Sequence, residues 1–152
     1  MLLGSRGLTR CGFGGALRVA ALMVSVVWLT GCEDQMAAHK TGRLLEKMHE
    51  QMNGQDWGGI YQGADPGFRE GTGKADFTKL FSDVHRKLGD AGAGYLRDTQ
   101  IDSTFQGKFV TTWVDTDFTN DPEVHERIVW HAVNGTYKLY RYDVDSKLLT
   151  GG

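Results

Sequence analysis

Apolar residues recur with two different periods along the chain, and the change from one to the other divides it into helices followed by strands. Over 35–53 they fall at Met36, Leu44, Leu45, Met48 and Met52. Leu45, Met48 and Met52 make one stripe of an amphipathic helix, and Gly54 is placed to end it. Gly42 weakens the middle of that helix, so the part before it reads as a tether. Asp56 offers a cap for a short turn presenting Trp57, Ile60 and Tyr61. Asp65-Pro66 reads as a cap followed by a first-turn proline, with Phe68 as the next buried residue. A longer helix is predicted over Lys74–Leu88, where Phe77, Leu80, Phe81, Val84 and Leu88 stand at offsets 0, 3, 4, 7 and 11. Gly89 stops it.

After Asp90-Ala91-Gly92-Ala93-Gly94, which reads as a flexible joint, the period becomes two. Strands are predicted over 95–105 and 108–118, the second with Val110 and Val114 on one face and Phe109, Thr111 and Trp113 on the other. A turn at 119–122 leads to strands over Val124–Val133 and 136–144. These flank Asn134-Gly135, the strongest short hairpin signal. The hairpin predicts Val133 opposite Thr136, Trp130 opposite Leu139 and Glu126 opposite Asp143. Ile128, Trp130, Ala132, Tyr137 and Leu139 form the better core face. The other face mixes Val129, Tyr140, Tyr142 and Val144 with His125, Arg127, His131 and Lys138, a composition suited to contact. The pattern is that of an α+β fold, N-terminal helices on an antiparallel sheet of about four strands.

The chain has 152 residues, a net charge of −2 and 2 cysteines. One compact domain fits that length, since domains usually run about 100–150 residues. Two cysteines exclude a disulfide-rich scaffold and a four-cysteine zinc site. The charges are unevenly spread: residues 1–31 carry Arg6, Arg10 and Arg18 but no Asp or Glu, so all 19 acidic residues lie beyond them. From Val19 to Leu29 the chain is apolar except for Ser25. Such a run covers only about 16 Å as a helix, roughly half a bilayer's hydrocarbon core, and with its basic start reads as an export signal. Its exit, Leu29-Thr30-Gly31-Cys32, resembles the lipobox of bacterial lipoproteins. There the cysteine thiol receives a diacylglycerol group, the signal is cut before it, and the new amino terminus is acylated. The alternative is an ordinary secretory signal followed by a free cysteine.

The lipobox implies a working chain of 32–152. Losing the three arginines leaves 14 Lys and Arg against 19 Asp and Glu, hence −5. Cys11 leaves with the signal and Cys32 is consumed by lipid, so disulfides, thiol chemistry and cysteine-ligated metals are excluded. More than one fatty chain anchors stably. The expected address is therefore the bacterial cell envelope, lipid-anchored and facing the periplasm. Glu33 and Asp34 match neither standard sorting signal cleanly, and the outer membrane is favoured over the inner.

Trp57, Ile60-Tyr61, Asp65-Pro66-Gly67-Phe68-Arg69, then Phe77 and Phe81 through Lys87-Leu88-Gly89, and finally Asn134-Gly135-Thr136-Tyr137-Lys138-Leu139 with Tyr142, form a spaced set. Over about residues 40–145 this set resembles small bacterial lipoproteins of the cystatin-like or nuclear-transport-factor-like superfamily. Tyr137 stands where many of those proteins have Trp. The resemblance implies a cone roll: helices in the concave face of a strongly curved antiparallel sheet, sometimes with a pocket at the open end. It implies no chemistry, because the same cone hosts isomerases, dehydratases, transport adaptors and non-catalytic binding modules. The expected organisation is a signal over 1–31, a tether over 32–40, one domain over 41–147 and a frayed tail over 148–152.

Candidate chemistry is sparse. Asp115, Asp117, Thr119, Glu123 and Glu126 fall at positions 1, 3, 5, 9 and 12 of a calcium loop. Asn120 at the glycine position, Pro122 and strand-like flanks depart from that motif, and a charged hairpin loop is the simpler reading. His125 and His131 share one side of a strand but lie roughly 20 Å apart, too far for a common metal. In a pocket, His131 or Asp115 would serve as a general acid or base. His85 complements a helix end, and His39 and His49 fall on the polar side of the first helix or on the tether. Glu126 opposite Asp143, relieved by Arg141, reads as a surface ion pair. Trp57, Tyr61, Trp113, Tyr140 and Tyr142 are candidate ligand or partner contacts, although aromatic residues are most economically core. There is no phosphate loop, nucleophile elbow or His-Glu-x-x-His, and the acidic balance opposes nucleic acid.

The expected function is that of a non-catalytic module binding a small apolar ligand or an envelope protein, one form being an inhibitor or immunity-type lipoprotein. Its only non-protein groups would be the diacylglycerol and N-acyl chains on Cys32. The rival is a cone-fold enzyme using a pocket Asp or His for proton transfer. Cys32→Ser is expected to abolish labelling by a radioactive or clickable fatty acid and to release the protein from the membrane fraction. Unchanged labelling would refute lipidation at Cys32.

Overall fold

The computed structural model describes the backbone of residues 17–150 and the side chains of 35–150. Residues 1–16 and the side chain of Cys32, and with them the expected lipid site, lie outside the described residues. The chain divides into two units, 1–33 and 34–152, and the second carries the fold. Helices α1 (Leu17–Asn53), α2 (Trp57–Gly63), α3 (Pro66–Thr72) and α4 (Lys74–Leu88) precede strands β1 (Ala91–Thr104), β2 (Gly107–Phe118), β3 (Val124–Val133) and β4 (Thr136–Asp145), and a final turn of helix α5 (Lys147–Thr150). The strands form one open antiparallel sheet in the order β1-β2-β3-β4. Among the described residues, no helix is long and apolar enough to cross a membrane.

The helices take their limits from local chemistry. The Asp56 carboxylate accepts from Gly59 N at 2.9 Å and caps α2. Asp65 accepts from Gly67 N at 2.8 Å and caps α3, with Pro66 in the first turn. Helix α4 ends at Gly89, whose φ of +80° and close approach to Thr119 admit no side chain. The buried positions of α4 are Phe77, Phe81, Val84 and Leu88, four of the five positions read from the sequence; the fifth, Leu80, lies at the edge of the stripe and is exposed. They pack with Leu45, Met48 and Met52 of α1 and Ile60 of α2 against Val110, Val114, Phe118, Ile128, Trp130 and Leu139 of the sheet. Phe77 stacks on Phe81 at 4.4 Å between ring centres, and Phe81 on Tyr142 at 5.0 Å.

Four local expectations change. The 32–40 stretch, read as tether, is helical, and Ala37 within it is buried. The joint at 90–94 is, from Ala91 on, the start of β1. Its small residues serve close packing: a Cβ on Gly92 would lie 2.8 Å from the Asp117 carbonyl, and one on Gly94 would lie 3.1 Å from both Leu45 and Val114. Of the tail, the described residues to Thr150 belong to a short helical turn, Lys147–Thr150, whose Leu149 packs against the core.

The fourth change is in the hairpin. Asn134 and Gly135 both have positive φ, as a tight two-residue turn requires, and Val133–Thr136 and Trp130–Leu139 pair as predicted. A bulge then shifts the register at Val129/Trp130, so Ile128 faces Tyr142, Arg127 faces Asp143 and Glu126 faces Val144. The extra residue carries Tyr142 from the outer face to the core. The same shift turns Asp143 to the outer face between Arg127 and Arg141, at 3.4 and 2.8 Å, so the expected Glu126–Asp143 juxtaposition is not formed.

Phe81→Ala is expected to destabilise the fold by about 3–5 kcal/mol through lost burial and a residual cavity. Leu80→Ala, on the exposed side of the same helix, should cost less than about 1 kcal/mol. Urea denaturation followed by near-ultraviolet circular dichroism checks both, and equal losses would contradict this packing.

Candidate ligand cleft

Helix α1 presents two neighbouring stripes. Met48 and Met52 enter the core. Thr41, Leu45, His49 and Asn53, each four residues from the next and therefore on one side of the helix, line a cleft of about 340 Å³. Gly94 and Leu96 of β1 and Thr112 and Val114 of β2 form the opposite wall, and Glu46 and Glu50 of α1 complete the lining on its solvent-exposed side. The Asn53 side chain holds one end by donating to the Ala91 carbonyl at 2.9 Å and accepting from the Ala91 N–H at 2.8 Å.

His49 is only 5 % exposed. Its Nε2 lies 2.9 Å from Glu126 Oε2, which leaves Nδ1 as the ring nitrogen not engaged by Glu126. Glu126, 1 % exposed, is among the largest fully buried side chains. It also accepts from Thr116 Oγ1 and, on its other oxygen, from Tyr142 Oη at 2.6 Å. Burial penalises the Glu126 charge most strongly. The hydrogen bond and charge of His49, then the Thr116 and Tyr142 hydroxyls, outweigh that penalty and hold the carboxyl below its ordinary range. Burial first, then the charge and hydrogen bond of Glu126, push the Tyr142 phenol well above its ordinary value. The arrangement is a carboxylate fixing an imidazole in orientation, with two hydroxyls fixing the carboxylate.

The residues singled out in the sequence lie elsewhere. Asp115 is on the outer sheet face, accepting from Arg97 Nη1 at 2.8 Å and paired with His125 Nδ1 at 2.8 Å. His131 is also outside, its Nδ1 2.9 Å from Asp65 Oδ2 and its ring stacked on Phe109 at 4.5 Å. Neither lines the cleft, and His125 and His131 stand six positions apart along β3. The calcium spacing is undone by strand alternation, because Asp115 and Asp117 point out while Glu126 points in. Among the described residues, no group of three or more His, Cys, Asp and Glu is placed to hold a metal. Trp57 meets His85 edge-on, Tyr61 meets Phe77, Trp113 lies opposite Arg127, Tyr140 meets Phe109, and Tyr142 is core. None of these five lines the cleft.

The sequence contained a signal for Glu126. It is two residues before Ile128 and four before Trp130, so period two assigns it to the core face. His49 was visible as the continuation of Thr41 and Leu45 at intervals of four, but a single histidine on a helix carries no motif.

No family model and no curated protein matches the chain. Among solved structures it is similar to Aln2 from a Streptomyces species, at 14 % identity and a TM-score of 0.53, over 76 % of this chain and 94 % of that one. It is also similar to Bd1075 from Bdellovibrio bacteriovorus, at 17 % identity and a TM-score of 0.46, over 70 % of this chain and 40 % of that one. At such identity the first likeness speaks to the fold alone.

Because the folded-state pKa of Glu126 lies below its unfolded value, its stabilisation is fully present above the unfolded carboxylate range. It is lost as pH falls through the depressed folded value. Glu126→Gln is therefore expected to cost about 1–3 kcal/mol near neutral pH. The deficit should shrink as the pH falls below about 4. Urea midpoints measured against pH check this, and a deficit independent of pH would refute an ionised Glu126.

Proposed function

We propose that this is a lipid-anchored protein of the bacterial cell envelope, facing the periplasm, whose cystatin-like cone domain takes up a small ligand in the cleft between α1 and β1–β2. The anchor rests on Leu29-Thr30-Gly31-Cys32 following a short apolar run. The binding role rests on one observation, a cleft of about 340 Å³ into which a buried histidine faces. That volume falls within the usual range of small-molecule sites, roughly 300–1,000 Å³. The mixed lining, with Leu45, Leu96 and Val114 beside Thr112 and His49, suits a compact ligand carrying at least one polar group.

A second reading follows from Glu126. An imidazole oriented by a buried carboxylate is also the arrangement of a general base, so proton transfer from the bound ligand is the enzymatic alternative. In that reading His49 is the group that meets the ligand, and Glu126 positions it. Asp115 and His131, the candidates read from sequence, take no part.

Gly42 provides the test. It lines the cleft, and a Cβ there meets nothing within 4 Å, so Gly42→Phe should fill the mouth without disturbing the fold. A fragment library screened by nuclear magnetic resonance against the full chain in non-ionic detergent is expected to give hits that shift Leu45, Gly94, Leu96 and Thr112. Gly42→Phe should weaken those hits tenfold or more without lowering the melting temperature. Hits that map elsewhere, or that Gly42→Phe leaves unchanged, would overturn the cleft reading. Turnover of a bound fragment that His49→Gln abolishes while binding persists would favour the enzyme over the module.

A further inference from the structure

The ionisable groups of the cleft have an unbalanced sign. Among the described residues, its lining includes Glu46, His49 and Glu50 but no lysine or arginine. Lys47, which lies between them in sequence, lines a different depression beside Ile60 and Tyr137. If His49 is charged, Glu126 behind it cancels that charge at 2.9 Å; if His49 is neutral, Glu126 adds a negative charge. In either case the two glutamates of α1 keep the described lining acidic; Arg43 and Lys47 stand three residues before them on the helix but pair with neither and do not line the cleft. Neither makes a side-chain hydrogen bond or ion pair among the described residues, whereas Asp83, Asp115 and Asp143 are all engaged by arginine. The opposite wall contributes backbone in place of charge. The register shift between Ala91 and Gly94 leaves Gly92 and Ala93 without cross-strand partners, and these small residues also line the cleft.

From this geometry we infer that the cleft takes a small cationic ligand, a compact apolar body carrying a protonated amine. The ammonium sits between Glu46 and Glu50, and the body lies on Leu45, Leu96 and Val114 towards His49. This inference rests on the proposal that the cleft is the binding site, and it adds the chemical class of the occupant. An anionic ligand would bring a carboxylate against two others, with no lysine or arginine among the described lining residues to relieve it. The rim pairs are solvated, so their contribution is modest and sensitive to salt.

Benzylamine, benzyl alcohol and benzoate share a shape and differ in charge. Titrated into the full chain in non-ionic detergent at low salt, with the Gly94, Leu96 and Thr112 resonances as readout, benzylamine is expected to bind about fivefold or more tightly than the alcohol, with benzoate weakest. The double variant Glu46→Gln, Glu50→Gln should equalise the amine and the alcohol without changing the melting temperature, since both glutamates are exposed. Raising the salt should narrow the preference. Equal binding of all three probes at the cleft, or an amine preference that survives the double variant, would overturn the cationic inference and leave the cleft reading standing. Failure of every probe to move cleft resonances at millimolar concentration would overturn both.

Discussion

A buried charge organises this domain. Glu126 sits on the core face of β3 with its carboxylate held by His49 from α1, Thr116 from β2 and Tyr142 from β4. Taking an ionised carboxylate out of water costs several kcal/mol, so the charge persists only where every such bond is made. Each of the three partners must then be in place together: helix α1 in its rotation about its own axis, β2 in its pairing with β3, and β4 in a register that turns residue 142 inward. Apolar packing among Phe77, Phe81 and Leu88 brings these elements together. The carboxylate selects one arrangement from those that packing alone would tolerate.

The β4 bulge follows from that requirement. Regular alternation from the Asn134-Gly135 turn would place Tyr142 on the outer face, with no hydroxyl for Glu126 Oε1 and no ring for Phe81. One extra residue before Arg141 corrects both. The same shift gives Asp143 two arginine neighbours outside. A local irregularity thus satisfies a buried carboxylate of β3 and an exposed one of β4 on opposite faces of the sheet.

Features set by neighbouring residues were legible in the sequence. The offsets of Phe77, Phe81, Val84 and Leu88, though not of the exposed Leu80, the caps at Asp56 and Asp65, the Asn-Gly turn and the inward valines of β2 match the structure, because each depends on positions a few residues apart. The features that were missed depend on contacts between distant segments. Tyr142 faces inward because of Glu126, sixteen residues earlier. His49 is buried because β3 offers it a carboxylate seventy-seven residues later. Gly92 and Gly94 read as a hinge, yet they are small because Asp117, Leu45 and Val114 press on them. The aromatic residues drew attention as candidate contacts, whereas the cleft is lined by threonines, glycines and one histidine that have no distinctive local pattern.

The two bonds between Asn53 and Ala91 bear on how the cleft can be used. They tie the end of α1 to the first residue of β1, while His49 is pinned one turn earlier to Glu126. A swing of α1 that widened the cleft would have to break both attachments, one of them to a buried ion. The walls are therefore preorganised, and a ligand entering between them loses its own freedom but does not have to order the protein. Recognition in such a site is a matter of fit to a fixed shape, with selectivity set by what the unmoving walls exclude.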